Sequence, residues 1–271
     1  MDKGLPFKTA LIHRFGAVTR PLTAHITYRC RSGIAAGLKR QGGYGFLPRK
    51  VTDEEKFFLS LNLLGRVVYD VGSYEGIFSL FAARAVGPTG CVVVFEPNPE
   101  CFQRTKRNLE LNDFVCGVFL RNFALGEDRY SARMYCPGGE PARSTINHLI
   151  AHKFFSDREV PVDFQVQVEK LDDAISTGLP IPNFIKIDAE GYEFEVLRGA
   201  EQTLREHRPD LFIEMHGATR EHWIQNRLSV QRLITNCGYR VFDMHMHPLS
   251  ESDGASHLYC RATVQSGRRA A

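Results

Sequence analysis

The chain has 271 residues, 43% of them hydrophobic, and a formal net charge of +3. That length suits one core domain with an appended segment, and no apolar run reaches the roughly 20 residues that a membrane-spanning helix requires. The seven cysteines show no Cys-x-x-Cys spacing and the N-terminus has no apolar signal-peptide core, which together predict reduced thiols and a cytoplasmic protein.

The first part of the chain is strongly basic. Residues 1–50 hold ten Lys and Arg and one acid, a net charge of +9, whereas residues 51–271 hold 24 Lys and Arg and 30 acids. Weak helical patterns broken by Gly and Pro predict a partly helical N-terminal extension over residues 1–50. Its charge suggests contact with an anionic acceptor or a membrane surface, or packing on the acidic domain that follows.

A capping box of Thr52 and Glu55 opens the main domain, which we place over residues 51–264, before a flexible tail over residues 265–271. Apolar strand patterns alternate with helical patterns through most of the domain, which predicts an α/β sheet, mostly parallel and covered on both faces. Residues 127–170 lack a long period. A loop this long is more often functional than idle, so we expect a substrate-side insertion there.

The predicted strands are short and mostly apolar. They cover residues 67–70, 91–95, 115–121, 131–136, 164–168, 184–187, 211–215, 239–245 and 257–263. The predicted helices begin near residues 52, 77, 99, 171, 192 and 220, and the fifth of them runs unbroken to residue 207. Ligands of such sheets bind beyond the carboxyl ends of the strands, so the residues that follow the strands are the candidates for a site.

The sequence DVGSYEG joins the first core strand to a helix. Asp70 ends the strand, Gly72 allows close backbone approach, and Gly76 lets the helix pack against the strand. A loop for a pyrophosphate would not place an acid here because like charges repel, and the spacing lacks Gly-x-Gly-x-x-Gly. We therefore predict a loop for S-adenosylmethionine, in which Asp70 meets the ammonium group of the cofactor through water or loop amides.

Polar residues also follow the next two strands. Glu96 lies 24 residues after Gly72, close to the roughly 20 expected for an acid that accepts both ribose hydroxyls. Asn122 follows the third strand and is a candidate to hydrogen-bond the edge of the adenine, although an ordinary turn asparagine has the same sequence signature.

These motifs resemble those of the FkbM family of S-adenosylmethionine-dependent methyltransferases. The resemblance rests on DVGSYEG, VVVFEPNPE, NFALGE and above all FIKIDAEGYEFEVLRGA, and it covers roughly residues 50–217. It implies a Rossmann-like class I methyltransferase sheet of seven strands with a reversed last strand. It also implies O-methylation of a hydroxyl, often on a sugar, a glycolipid or a polyketide. Asp70, Gly72, Gly76 and Glu96 match the cofactor motifs of the family.

The remaining candidate residues lie at the ends of two later strands. Lys186 and Asp188 share one face of the first, and Glu214 and His216 share one face of the second. Buried Lys186 needs a carboxylate, and we expect Glu214 to supply it. Asp188 and His216 then meet at the open end, beside the cofactor. We predict that His216 removes the proton of the acceptor and that Asp188 orients the imidazole of His216. Glu190 is the other candidate base.

Several alternatives stay open. A hard cation such as Mg²⁺ could bind Asp188, Glu190 and Glu214, although we favour a reaction without metal because a sulfonium is already a good leaving group. The basic extension suggests a nucleic-acid methyltransferase, but the acids at residues 188–190 would repel phosphates. A non-catalytic S-adenosylmethionine-binding module and a nicotinamide oxidoreductase are the other classes. The sequence does not identify the acceptor.

Overall fold

The computed structural model describes residues 23–136, 141–156 and 162–263 of the chain. The predictions for residues 1–22 and for the tail over residues 265–271 therefore lie outside the described residues. None of the described helices is both long enough and apolar enough to cross a membrane.

A seven-stranded sheet forms the centre of the domain. In sheet order its strands are β11 (Tyr239–Phe242), β12 (His257–Ala262), β10 (Asp210–Glu214), β9 (Phe184–Ile187), β3 (Val67–Val71), β4 (Cys91–Phe95) and β5 (Gly117–Arg121). The strands β5, β4, β3, β9 and β10 run parallel, whereas β12 is antiparallel to both of its neighbours. The seven strands and the reversed last strand confirm the predicted class I methyltransferase fold.

Helices cover the sheet. They are α1 (Asp53–Ser60), α2 (Ile77–Ala85), α3 (Pro99–Glu110), α4 (His148–Ser156), α5 (Leu171–Ser176), α6 (Glu193–Arg198), α7 (Glu201–Glu206) and α8 (Arg220–Asn236). Residues of β4 alternate between two hydrophobic clusters, with Val93 and Phe95 in one and Val92 and Val94 in the other. Both faces of the strand are thus buried, which is why it reads as a continuous apolar run.

The described part of the predicted insertion forms a separate small sheet. In sheet order, the strands are β6 (Ala124–Leu125), which precedes the insertion, β8 (Val162–Glu169) and β7 (Tyr130–Cys136). The pattern predicted strands close to β7 and β8, but helix α4 had no signal strong enough to predict it.

The predicted unbroken helix over residues 192–207 was wrong, because α6 and α7 are separate helices. Gly199 lies between them and touches the end of β6. A Cβ atom on Gly199 would lie 1.9 Å from the carbonyl oxygen of Gly126. This contact with a segment distant in sequence redirects the chain, and local helix propensity does not report it.

The described part of the basic extension packs on the domain. Its strands β1 (Thr27–Arg29) and β2 (Lys39–Gln41) form an antiparallel pair where a weak helical pattern had predicted helix. The β2 backbone binds the end of α3, since the Gln41 amide donates to Asn108 Oδ1 at 2.8 Å. Arg40 also pairs with buried Glu75 of the glycine loop.

Candidate functional site

A cavity opens at the carboxyl ends of β3, β4 and β9, and we call it the Glu96 cavity. Gly72, Glu96 and Asp188, three of the candidate site residues, line it. Much of the remaining wall is apolar and comes from Phe95, Phe123, Leu125, Met134, Ile146 and Val196. Met134 and Ile146 belong to the predicted substrate-side insertion, which therefore contributes directly to the cavity.

The Glu96 carboxylate is fixed by two backbone amides. Its Oε2 accepts from the Tyr74 amide at 2.7 Å, and its Oε1 accepts from the Asn98 amide at 2.9 Å. Burial raises the pKa of Glu96 to about 8, while the two amides act in the opposite direction. Each carboxylate oxygen retains acceptor capacity, so Glu96 can still receive two hydroxyl donors from the cavity.

Three of the predicted cofactor residues, Asp70, Gly76 and Asn122, do not line this cavity. Asn122 donates from Nδ2 to the carbonyl oxygens of Glu96 at 2.8 Å and Pro97 at 3.2 Å, which fixes the turn after β4. Asp70 is fully buried beneath the glycine loop, where its Oδ2 accepts from the Ser79 hydroxyl. Burial raises the pKa of Asp70, and the nearby Lys186 ammonium opposes that shift. The cofactor roles of Asn122 and Asp70 stay predictions.

The two loop glycines meet protein backbone and side chains rather than open space. Gly72 has a φ of +80°, and a Cβ atom there would lie 1.9 Å from the carbonyl oxygen of Asp188. Gly76 has a φ of +78° and would place a Cβ 2.8 Å from Thr105 Cγ2. Gly76 therefore allows close approach of α2 and α3, while α2 also packs on strands β3 and β4. Gly72 brings the loop against the end of β9.

The imidazole of His216 is held by a buried acid that the sequence analysis missed. His216 Nδ1 lies 2.9 Å from Glu193 Oε1, and the Glu193 side chain is completely buried. Glu193 also accepts from the Gly191 amide at 2.8 Å and from Asn226 Nδ2 at 2.9 Å. Glu193 rather than Asp188 thus orients the ring, and it leaves Nε2 of His216 directed at the cluster of acids around the strand ends.

That cluster surrounds Nε2 of His216 with carboxylate oxygens. Glu214 Oε1 lies at 3.7 Å, Asp188 Oδ1 at 3.8 Å and Glu190 Oε1 at 3.9 Å. Burial lowers the pKa of His216, but the Glu193 bond and the neighbouring acids outweigh it and raise that pKa to about 10. Burial also raises the pKa values of Glu190 and Glu214 to about 7. The site therefore holds more negative groups than its cations can balance.

Lys186 pairs with Asp188 and not with Glu214, so the predicted partner was wrong. Its Nζ lies 2.9 Å from Asp188 Oδ2 and 5.9 Å from the centre of the Phe78 ring. Burial opposes the charge of Lys186, but Asp188 and Asp70 raise its pKa, and Asp70 is its neighbour in the β3–β9 register. Lys186 and Asp188 lie only two residues apart in the chain, so they pair without a contribution from β10.

The loop after Asp188 is strained and tied down. Glu190 has a φ of +48°, which is uncommon for a residue other than Gly. Its carbonyl oxygen accepts from Thr145 Oγ1 at 2.7 Å, and the next carbonyl, that of Gly191, accepts from Asn147 Nδ2 at 2.8 Å. Thr145 and Asn147 lie in the aperiodic insertion, where the sequence pattern gave no signal for them. Their bonds hold the acids of the loop in place.

Among the described residues, two groups of three could hold a cation. Their donor atoms lie within 4.8 Å of one another, and they consist of Asp188, Glu214 and His216, and of Glu54, Glu214 and His257. A hard divalent cation accepts carboxylate oxygens of this kind. The Lys186 ammonium already pairs with Asp188 and would repel a second cation at the first group.

Comparison with known proteins gives a consistent set of matches. The model of the methyltransferase FkbM domain matches residues 70–241. Methyltransferase 1 of Beauveria bassiana is 32% identical over 148 residues, which cover 49% of this chain and 57% of that protein. Hexuronic acid methyltransferase AglP of Haloferax volcanii is 26% identical over 171 residues, which cover 62% of this chain and 64% of that protein.

A solved structure of the methyltransferase FkbM from Methylobacillus flagellatus is 20% identical with a TM-score of 0.47, and the match covers 74% of this chain and 45% of that one. The chain spans about 57% of the length of Methyltransferase 1 of Beauveria bassiana and about 64% of the length of AglP of Haloferax volcanii.

Proposed function

Because this chain belongs to the FkbM methyltransferase family, we propose that it transfers the methyl group of S-adenosylmethionine to an oxygen atom of a small or sugar-containing acceptor. The family model covers more than half of the chain and includes the residues of the Glu96 cavity from Gly72 to Val196. When bound, the cofactor would supply an electrophilic methyl group on a sulfonium. The residues of this chain would bind it, align the acceptor and accept one proton.

The Glu96 cavity fits the nucleoside part of this cofactor. Glu96 is buried and immobilised by two amides, yet each of its oxygens can accept a further hydrogen bond, as two ribose hydroxyls require. The apolar wall that includes Phe123 and Met134 suits a flat, weakly polar base. Gly72 lets the loop approach closely, so its backbone can lie against a ligand between Glu96 and Asp188.

The arrangement of His216 and Glu193 is the observation that carries the proposal. A hydroxyl is a poor nucleophile until its proton leaves, and a fixed imidazole is the usual acceptor. Glu193 binds Nδ1 of His216 and leaves Nε2 at the open ends of β9 and β10, beside Asp188. His216 must be neutral to act. A cationic cofactor beside it would lower its raised pKa and favour that state.

The identity of the acceptor atom follows from whether a base is needed. A carboxylate acceptor is already ionised at neutral pH and needs no proton acceptor, whereas a hydroxyl does. The presence of the His216–Glu193 pair therefore favours a hydroxyl. One relative is named a hexuronic acid methyltransferase, so glycosides that carry glucuronic acid offer both groups and are the first probes to use.

The test measures transfer from S-adenosylmethionine labelled in its methyl group to such glycosides. We expect a methyl ether that survives mild alkali, and a loss of about 10²- to 10⁴-fold in kcat for His216→Ala, with binding of S-adenosylhomocysteine retained. His207→Ala is the matched control, because His207 is exposed and precedes β10 at the opposite edge of the sheet. A product that alkali fully hydrolyses, or a His216→Ala protein with normal kcat, contradicts the hydroxyl and base assignments.

We also expect EDTA to leave turnover unchanged, because the proposed reaction needs no metal. Inhibition by EDTA with rescue by Mg²⁺ would instead place a cation on Asp188 and Glu214 and reduce His216 to a supporting role.

We further propose that the basic extension favours an anionic acceptor. Two residues of its described part, Ile34 and Arg49, line a cavity next to the Glu96 cavity. Deletion of residues 1–50 should therefore lower turnover more at low ionic strength than at high ionic strength. An equal loss of turnover at both ionic strengths would show that the extension only supports the fold.

A further inference from the structure

A second cavity lies on the other side of Gly72, and we call it the Glu54 cavity. It shares Gly72, Tyr74 and Asp188 with the Glu96 cavity. A ligand whose nucleoside binds Glu96 can therefore extend past the glycine loop into the Glu54 cavity. S-adenosylmethionine has such a shape, because its amino-acid part projects from the ribose and carries an ammonium group.

The acid expected to receive that ammonium does not reach either cavity. Asp70 is fully buried, lines neither space and accepts from the Ser79 hydroxyl. Its charge is balanced by Lys186, its partner across the β3–β9 register. A buried acid in this setting supports the loop from below, so a carboxylate that contacts the ammonium directly must come from another residue.

Glu54 is the acid best placed for that role. Its neighbours on helix α1 are already paired, Asp53 with Lys56 at 2.7 Å and Glu55 with Arg49 at 2.6 Å. Glu54 itself is half-buried in the wall of the cavity and makes no hydrogen bond or ion pair with the part of the chain that the structure describes.

Among the described residues that line this cavity, the cations Arg49 and Lys186 are both already paired with acids. The nearby Lys186 ammonium pairs with Asp188, while the Glu214 carboxylate and His257 lie within 4.8 Å of the Glu54 carboxylate. A half-buried carboxylate without a partner is unfavourable until a cation reaches it. A ligand ammonium that enters the cavity would supply that cation.

We propose that the amino-acid part of the cofactor occupies the Glu54 cavity and that its ammonium group binds the Glu54 carboxylate. The inference rests on the proposed function in one respect, namely that the cofactor is S-adenosylmethionine. It assigns to a residue before the family domain, which begins at Asp70, a direct contact with the cofactor.

The test compares two ligands that differ only in the amino-acid part, S-adenosylhomocysteine and 5′-methylthioadenosine, by calorimetry. We expect Glu54→Gln to weaken binding of S-adenosylhomocysteine by about 10- to 100-fold, the scale for a hydrogen bond to a charged group. Binding of 5′-methylthioadenosine should change by less than about twofold, because it lacks the ammonium. Asp53→Asn is the matched control, since it removes a neighbouring charge that points to the surface at Lys56.

The outcomes separate this inference from the proposed function. If the wild-type protein binds S-adenosylhomocysteine and Glu54→Gln binds it equally well, the ammonium lies elsewhere and the inference alone fails. Equal losses for both ligands would show that Glu54 shapes the cavity rather than contacts the ammonium, which also overturns the inference. If the wild-type protein binds neither ligand, the proposed cofactor is wrong and both proposals fall.

Discussion

The bond between Glu193 and His216 can be tested without knowledge of the acceptor. In the free protein the pKa of His216 is raised to about 10, and the Glu193 hydrogen bond is the largest of the effects that raise it. Glu193→Gln removes the charge but preserves the shape. Gln has one acceptor oxygen and one NH₂ group, so it cannot accept from His216 and Gly191 on one side and from Asn226 on the other, as Glu193 does.

The expected shift follows from that loss. A hydrogen bond to a charged group is worth about 1.5–3 kcal/mol, and one pKa unit corresponds to about 1.4 kcal/mol. The pKa of His216 should therefore fall by roughly 1–2 units in Glu193→Gln. A raised pKa means that the protonated ring stabilises the folded state, so this contribution is complete below pH 6.5 and is lost as the pH rises through about 10.

The assay is a titration of the histidine ring signals by NMR, with His216 assigned through His216→Gln. Glu195→Gln serves as the control, because it removes a charge from the same helix α6 without touching the ring. The Glu193→Gln variant should also lose activity at every pH, since the ring of His216 is no longer fixed. A wild-type His216 that titrates near 6.5, or a midpoint that Glu193→Gln does not move, would refute the role assigned to Glu193.

Two further predictions concern the cavity wall. Glu96→Ala should weaken binding of S-adenosylhomocysteine by about 1.5–3 kcal/mol in calorimetry. The control is Glu100→Ala, at an exposed position of α3, which should leave the affinity unchanged. Unchanged affinity in a folded Glu96→Ala protein would refute the assignment of Glu96 to the ribose. Gly72→Ala should lower Tm by about 5 °C or more, because the new Cβ meets the Asp188 carbonyl. Gly37 has a similar positive φ but open space around it, so Gly37→Ala is the control. A similar loss of Tm in both variants would show that backbone strain, and not the contact with Asp188, causes the loss.

The architecture of this protein could be predicted because its signals are local. The strand Cys91–Phe95, the helix Arg220–Asn236 and the capping box at Thr52 lie where the pattern placed them, since each depends on residues close in sequence. The break at Gly199 could not be predicted, because it depends on Gly126, more than seventy residues earlier.

The candidate site shows the same division between local and distant effects. The sequence placed Gly72, Glu96 and Asp188 at strand ends, and the structure brings these residues to one cavity. It assigned the wrong partners to the charged groups, because partner choice depends on side-chain reach. Lys186 binds Asp188, two residues away and just past the end of its own strand. His216 binds Glu193, which lies on a helix that follows a different strand.

The charge of the site would suit the sulfonium of the proposed cofactor. Glu190 and Glu214 have pKa values raised to about 7, so at neutral pH they are only partly ionised. The buried Lys186 beside them is already paired with Asp188. These carboxyls would gain a favourable interaction from a cationic ligand and none from a neutral one. Methyl transfer would turn the sulfonium into a neutral thioether, so the same acids would hold the reactant more tightly than the product. If the proposed assignment is right, the acidic cluster around His216 would therefore favour binding of the cofactor before transfer and its release afterwards.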